Sequence, residues 1–246
     1  MSFDPRTASA SQITTAVLSG DISARGITEI LLAHIECTHD SLNAFTLVTA
    51  ERALEESDQV DDDIARGLVP GPLAGVPYAV KNLFDLRGEV TVAGSKINRS
   101  NAPAEQDATL VARLKKAGAI CLGALNMGEY AYDFVTNNPH DGPTLNPYDS
   151  RRSAGGSSGG SGAAVAGGLC PLALGSDTNG SIRVPSSFCG IWGLRPTYGN
   201  LSRGGTFAFV DSLDTVGPFG RSVEDLAAVF DAMSDSDARD PASKCS

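Results

Sequence analysis

The chain has 246 residues, 41% of them hydrophobic, enough to bury a sizeable core in one domain or in two small ones. Nineteen basic against 29 acidic residues give a net charge of -10, which argues against nucleic acid or an anionic membrane surface as the partner unless a local patch opposes the net charge. The five cysteines (Cys37, Cys121, Cys170, Cys189, Cys245) are widely spaced, odd in number and form no CxxC pair, which argues against a disulfide-framed secreted protein.

The opening MSFDPRTASAS has no basic region followed by an apolar run, so no signal peptide is expected. The low-charge stretch 153–177 is broken by glycine, serine and Pro171 and makes a poor membrane span. The expected location is cytoplasmic.

In chain order, SASQITTAVLSG predicts a helix with Ile13, Val17 and Leu18 on one face, stopped by Gly20. SARGITEILLAHIE predicts a second, capped by Ser23, with an apolar stripe of Ile27, Ile30, Leu31 and Ile35. A short strand then leads into an acidic helix, where seven acidic and two basic residues lie between Glu51 and Arg66; the plain expectation is a solvated face. PGPLAGVPYAVKNLF is a turn and a short strand ending at Lys81. DATLVARLKKAGAICLGALNMGEYAY predicts a helix carrying Leu110, Val111 and Leu114, a strand AICLG, and another helix from about Asn126. An irregular region follows from Thr136 to Ser153. LCPLALGSDTNGSIRVPSSFCG reads as strand, tight turn and short helix, and VEDLAAVFDAM as a helix. Strands alternating with helices indicate an α/β fold with a mixed or largely parallel sheet. The expected division is a helical region, 1–69, packing on an α/β core, 70–246.

The stretch Ser153 to Gly168, SAGGSSGGSGAAVAGG, holds seven glycines and four serines in sixteen residues. A flexible linker does not normally run directly into a small-residue helix and a strand. A phosphate-binding loop needs GxxxxGK[ST], and no lysine is present in the segment. The remaining reading is a catalytic loop that needs bare backbone. A serine nucleophile needs a base, yet His34, His39 and His140 each have a structural or surface reading. Lys81, at a strand end, is the other base, provided burial lowers its pKa; a surface lysine is equally compatible with the residues alone. Ser181 follows Thr178-Asn179-Gly180 in a turn where backbone N–H groups could face a developing oxyanion. The alternative is a helix-capping serine with Arg183 on the surface.

Taken together, GVPYAVKN, AGGSSGGSGAAVAGG and GSDTNGSIRVPSSFCGIWGLRPTYG resemble the amidase signature family. The spacings match as well, 76 residues from Lys81 to Ser157 and 24 more to Ser181. The resemblance implies the amidase signature fold, a mixed β-sheet core flanked by helices, incomplete at its C-terminal side, because family members are close to twice as long. It implies a Ser-Ser-Lys triad in which Ser181 is the nucleophile, Ser157 the bridging serine after a cis peptide bond, and Lys81 the base. It further implies an oxyanion hole from the amides of Thr178, Asn179, Gly180 and Ser181, with Ser158, Asp177 and Arg183 supporting the loops. No metal and no organic cofactor are implied.

Within the family, SDTNGSIRVPSSFCG and FAFVDSLDTVGPFGRSVEDLAAVFDAM look most like the AtzE-type amidases, hydrolases of 1-carboxybiuret in cyanuric acid breakdown. That resemblance implies a small-molecule amide substrate, a small accessory subunit, a homo-oligomer, and no direct contact with nucleic acid or membrane. Lys81-Asn82 departs from the commoner Lys-Asp, and Asn179 from the commoner glycine. Two other readings stay open: the glutamine-hydrolysing subunit of a tRNA-dependent amidotransferase, and a truncated, noncatalytic interaction protein. If nothing replaces the missing part, exposed sheet edges and apolar surface are expected.

Overall fold

A computed structural model describes residues 3–243 of the chain; Cys245 lies outside them. The N-terminal segment forms α1 (Ala10–Ser19) and α2 (Ala24–Leu42). Ser9 caps α1 by accepting from Gln12 N, while the Gln12 side chain accepts in return from the Ser9 amide. Ser23 caps α2 by accepting from Gly26 N, so each helix starts where a side-chain oxygen satisfies an orphan amide. Two of the expected stripe residues are not in the core: Leu18 and Ile30 are exposed. Each is one residue, about 100° of helical turn, away from the buried Val17 and Leu31.

β1 (Phe45–Val48) follows, then α3 (Ala50–Ala65), β2 (Pro77–Lys81), α4 (Thr109–Lys116) and β3 (Ile120–Leu125). β1 pairs antiparallel with β3, so the first 69 residues contribute a strand to the sheet and are not purely a helical region packed against it. Nor is α3 acidic only toward solvent. Glu56 is buried, accepts from Cys121 N at 2.9 Å and pairs with Arg52 at 2.9 Å. Asp61 accepts the Ala24 and Arg25 amides at 2.8 and 3.0 Å, which satisfies the start of α2.

The helix expected from Asn126 does not form. That segment carries only a single 3-10 turn, Glu129–Ala131, with Tyr130 and Ala131 in the left-handed region. Its polar groups are drawn to other parts of the chain: the Gly128 amide donates to Ser157 O, and Asn126 Nδ2 to Gly142 O. The region 136–153 is built from two short antiparallel pairs, β4 (Asn137–Asn138) with β5 (Gly142–Pro143), and β6 (Leu145–Asn146) with β7 (Asp149–Ser153).

Beyond them lie α5 (Gly159–Ala166), β8 (Leu172–Asp177), α6 (Arg183–Cys189), β9 (Trp192–Gly193), β10 (Thr215–Gly220) and α7 (Val223–Met233). The sheet order is β1-β3-β2-β8-β10-β9. The two central pairings, β3 with β2 and β2 with β8, are parallel and the others antiparallel, which makes the sheet mixed. β2, β3, β8 and β10 are buried along their whole length, as expected for strands covered by helices on both faces. No helix among the described residues is long and apolar enough to cross a membrane.

Candidate active site

β2 and β8 run parallel side by side, so their C-terminal ends emerge at one edge of the sheet. In an open α/β sheet this edge is where ligand sites are built. β2 ends in Lys81, and β8 ends in Ser176 and Asp177, followed at once by the turn that holds Ser181. The glycine-rich segment comes up against both. Its helix α5 approaches the neighbouring backbone so closely that a Cβ on Gly160 would lie 2.5 Å from Asn126 N and 2.7 Å from Ala44 O. Only glycine fits there. The peptide bond Gly156-Ser157 is cis, and the Ser157 carbonyl accepts from Gly128 N.

Lys81 is completely buried, which removes the surface-lysine reading. Its ammonium donates to Ser157 Oγ at 2.7 Å and to Ser176 Oγ at 2.9 Å. Burial lowers its pKa from 10.5 to about 7, against the opposing pull of Asp133, Asp214 and Asp177. An amine without its hydration shell favours the neutral form, so this lysine holds a usable lone pair near neutral pH. Ser158 braces the arrangement, its hydroxyl donating to Ser176 O at 3.2 Å.

The turn after β8 is organised by Asp177. One carboxylate oxygen accepts from Gly180 N at 2.7 Å, and the other from Ile182 N at 3.1 Å and Arg183 N at 3.3 Å. Arg183 grips both oxygens at 3.0 Å. Both prongs of the guanidinium are thereby engaged within the turn. Burial on its own would raise the Asp177 pKa, but the Arg183 guanidinium and the backbone amides outweigh it and hold the carboxyl below its ordinary value.

Gly180, at φ +140, makes a bend that side chains rarely adopt. Its amide is engaged by Asp177, so it is not aimed at an incoming oxygen. The amides of Thr178, Asn179 and Ser181 have no acceptor among the described residues. Ser181 is buried, and its hydroxyl makes no hydrogen bond among those residues. The fold thus joins Lys81 to Ser157 directly, while Ser181 waits at the head of the neighbouring turn with no bond to Ser157.

The histidines lie elsewhere. His34 Nε2 is 3.2 Å from Gly167 O, His140 pairs with Glu129 at 2.8 Å, and His39 is on α2. Asn82 is buried and donates to Thr46 Oγ1 at 3.0 Å; no carboxylate occupies that place. Asn179 is exposed.

Three contributors were not legible in the sequence. Ser176 is an unremarked serine inside a strand. Asp214, 33 residues beyond Ser181, accepts from Thr178 Oγ1 at 2.5 Å and from the Phe209 and Val210 amides, tying the turn to the 207–213 loop. Phe134 comes within 3.5 Å of the point where a Cβ on Gly180 would lie.

A mixed sheet flanked by helices, with a buried lysine bonded to a serine after a cis peptide and a second serine in the adjoining glycine turn, defines an amidase-signature protein. Residues 26–246 match the Amidase family, and the chain belongs to it. It is similar to AtzE of Pseudomonas sp. (strain ADP), a 1-carboxybiuret hydrolase subunit, with 60% identity over 230 residues, which cover 94% of this chain and 50% of that protein. It is 46% identical to a glutamyl-tRNA(Gln) amidotransferase subunit of Carboxydothermus hydrogenoformans, covering 96% of this chain and 48% of that one. Among solved structures, it superposes with a TM-score of 0.96 and 58% identity on one described as a vestigial protein complex that reveals the evolutionary origins of an s-triazine catabolic enzyme, covering 97% of this chain and 52% of that one. The chain spans about half the length of the curated relatives it matches.

Proposed function

We propose that this chain carries the reaction centre of a serine amidohydrolase acting on a small, carboxylated urea-type amide such as 1-carboxybiuret. The observation that carries the reading is the buried Lys81 amine bonded to Ser157 Oγ beside the Ser181 turn. Ser181 Oγ attacks the amide carbon and passes its proton to Ser157, which passes its own to the neutral Lys81. The carbonyl oxygen becomes an oxyanion facing the amides of Thr178, Asn179 and Ser181, donors already held in place before charge develops. Collapse breaks the C–N bond as Lys81 returns the proton, through Ser157, to the leaving nitrogen. Water, deprotonated by the same relay, then releases the acid from Ser181. The Ser157–Ser181 bond needed for the relay forms on substrate binding, because catalytic hydrogen bonds often tighten only in the complex.

The 60% identical relative favours the urea-type substrate. The amidotransferase relatives, at 46% identity, support a second reading in which glutamine is the amide donor. A partner polypeptide follows from either, since both relatives are named as subunits and the superposed structure is described as a complex.

The test is ammonia release from biuret-type amides and from glutamine, by the chain and by Ser181→Ala, together with mass-spectrometric detection of Ser181 acylation by an activated acyl ester. Turnover or acylation lost in Ser181→Ala supports serine amidase chemistry, and the preferred amide selects between the two substrates. A chain whose Ser181 is neither acylated nor required, alone or with its partner polypeptide, is a noncatalytic interaction protein.

A further inference from the structure

At the end of β2, two consecutive buried side chains turn to different partners, Lys81 to Ser157 and Asn82 to Thr46 on β1. Asn82 and Thr46 line a cavity of about 280 Å³. Phe84, Leu86 and Ala124 form its inner wall and are themselves buried. At the mouth Arg99 pairs with Asp141, and Glu89 adds a further negative charge. Lys81, Ser157 and Ser181 do not line this cavity.

The surroundings fix which way the Asn82 amide points. Thr46 Oγ1 donates its one proton to Ala124 O at 3.3 Å, so it meets Asn82 as an acceptor and the Asn82 NH2 must face it. The carboxamide oxygen is then left buried with no hydrogen-bond partner among the described residues. An acceptor in that position is costly unless something donates to it. Water is a poor candidate, because a buried water needs about two to four polar partners and the inner wall beyond the Asn82–Thr46 pair is apolar.

We propose that this cavity binds a small neutral molecule with an apolar body and one O–H or N–H donor, which Asn82 Oδ1 receives. The inner wall takes the apolar body, and the unpaired oxygen takes the donor. Asn82 is uncharged, so it offers an ammonium no ion pair to offset the loss of hydration. A carboxylate would bring an acceptor against an acceptor and would meet Glu89 at the mouth. A carboxylated urea-type amide therefore does not suit this cavity, which sets it apart from the substrate assigned to Ser181.

The experiment compares two isomers of identical composition: benzyl alcohol, which carries one O–H donor, and anisole, which carries none. Each is titrated into the 15N-labelled chain while the Thr46 and Leu47 amides and the Asn82 side-chain NH2 are followed by NMR. Benzyl alcohol should shift these resonances saturably, and anisole should bind at least about fivefold more weakly. Asn82→Leu replaces the carboxamide with an apolar group of similar size and should erase the difference between the isomers. Val90→Phe, which fills the cavity from its lining, should abolish saturable binding of both. The isomer comparison on the parent chain decides the proposal even if a variant fails to fold. It is overturned by benzyl alcohol that gives no saturable shift at these residues, by equal affinity of the two isomers for the parent, or by binding that survives Val90→Phe.

Discussion

Ser176 Oγ lies 2.9 Å from Lys81 Nζ, on the strand beside the one that ends in the lysine. The buried amine therefore has two hydroxyl partners and, among the described residues, no carboxylate at ion-pair distance. Ser176 accepts from the ammonium and so favours the charged form. Ser176→Ala should move the acid limb of the kcat/KM profile to lower pH and reduce kcat about tenfold with little change in KM, while Ser176→Thr restores both. A pH profile of the three proteins checks this; an unmoved limb with reduced kcat would assign Ser176 a purely structural role.

The lysine also gives stability a pH dependence of known sign. Its folded pKa is about 7 and its ordinary value 10.5. Between these the unfolded chain binds more protons than the folded one, so stability rises with pH across that window, with a slope approaching about 1.4 kcal/mol per pH unit from this group. Below pH 7 both states are protonated and the cost of burying the charge is felt in full. Lys81→Met should abolish turnover, be more stable than the parent near pH 6, and lose this slope. Urea denaturation from pH 6 to 10 measures it.

Asp177 gathers three backbone amides and a two-pronged guanidinium on one carboxylate. Asp177→Asn keeps one acceptor and leaves the remaining donors short of partners. It should destabilise the chain by about 2–3 kcal/mol, discounted for the partly exposed Arg183, and disorder the Ser181 turn. Equilibrium unfolding and amide hydrogen exchange at Ile182 and Arg183 provide the check.

At Gly160 a methyl group would press on the Asn126 backbone and on Ala44 O. Gly160→Ala should cost about 1–3 kcal/mol through overpacking. A thermal melt that matches the parent would mean that α5 can move away from the sheet more freely than its contacts imply.

The legible parts were those with local causes. An apolar face stopped by Gly20 marked α1, the capping Ser23 marked α2, hydrophobic spacing marked α4 and α7, and the strand ending at Lys81 stood out as a short apolar run. The failures had distant causes. Between Asn126 and Ala131 the residues suit a helix, but bonds to Ser157 and Gly142 draw the chain into left-handed turns. β10 escaped notice because TVGPFG carries a proline and two glycines, which weaken a strand signal. It is nevertheless a buried interior strand, held by β8 on one side and β9 on the other. Ser176 could be valued only once β2 and β8 were known to be neighbours.

That adjacency has a consequence for quality control. Tyr78, Ala79 and Val80 pair with Leu172, Ala173 and Leu174, and side chains alternate between the faces of a sheet. A slip of one residue would exchange the two faces of β8 relative to β2 and so change the groups that meet Lys81, in a molecule whose secondary structure and overall size were unchanged. The protonation state of one amine thus reports whether two strands have met in the correct alignment, which circular dichroism and light scattering cannot distinguish.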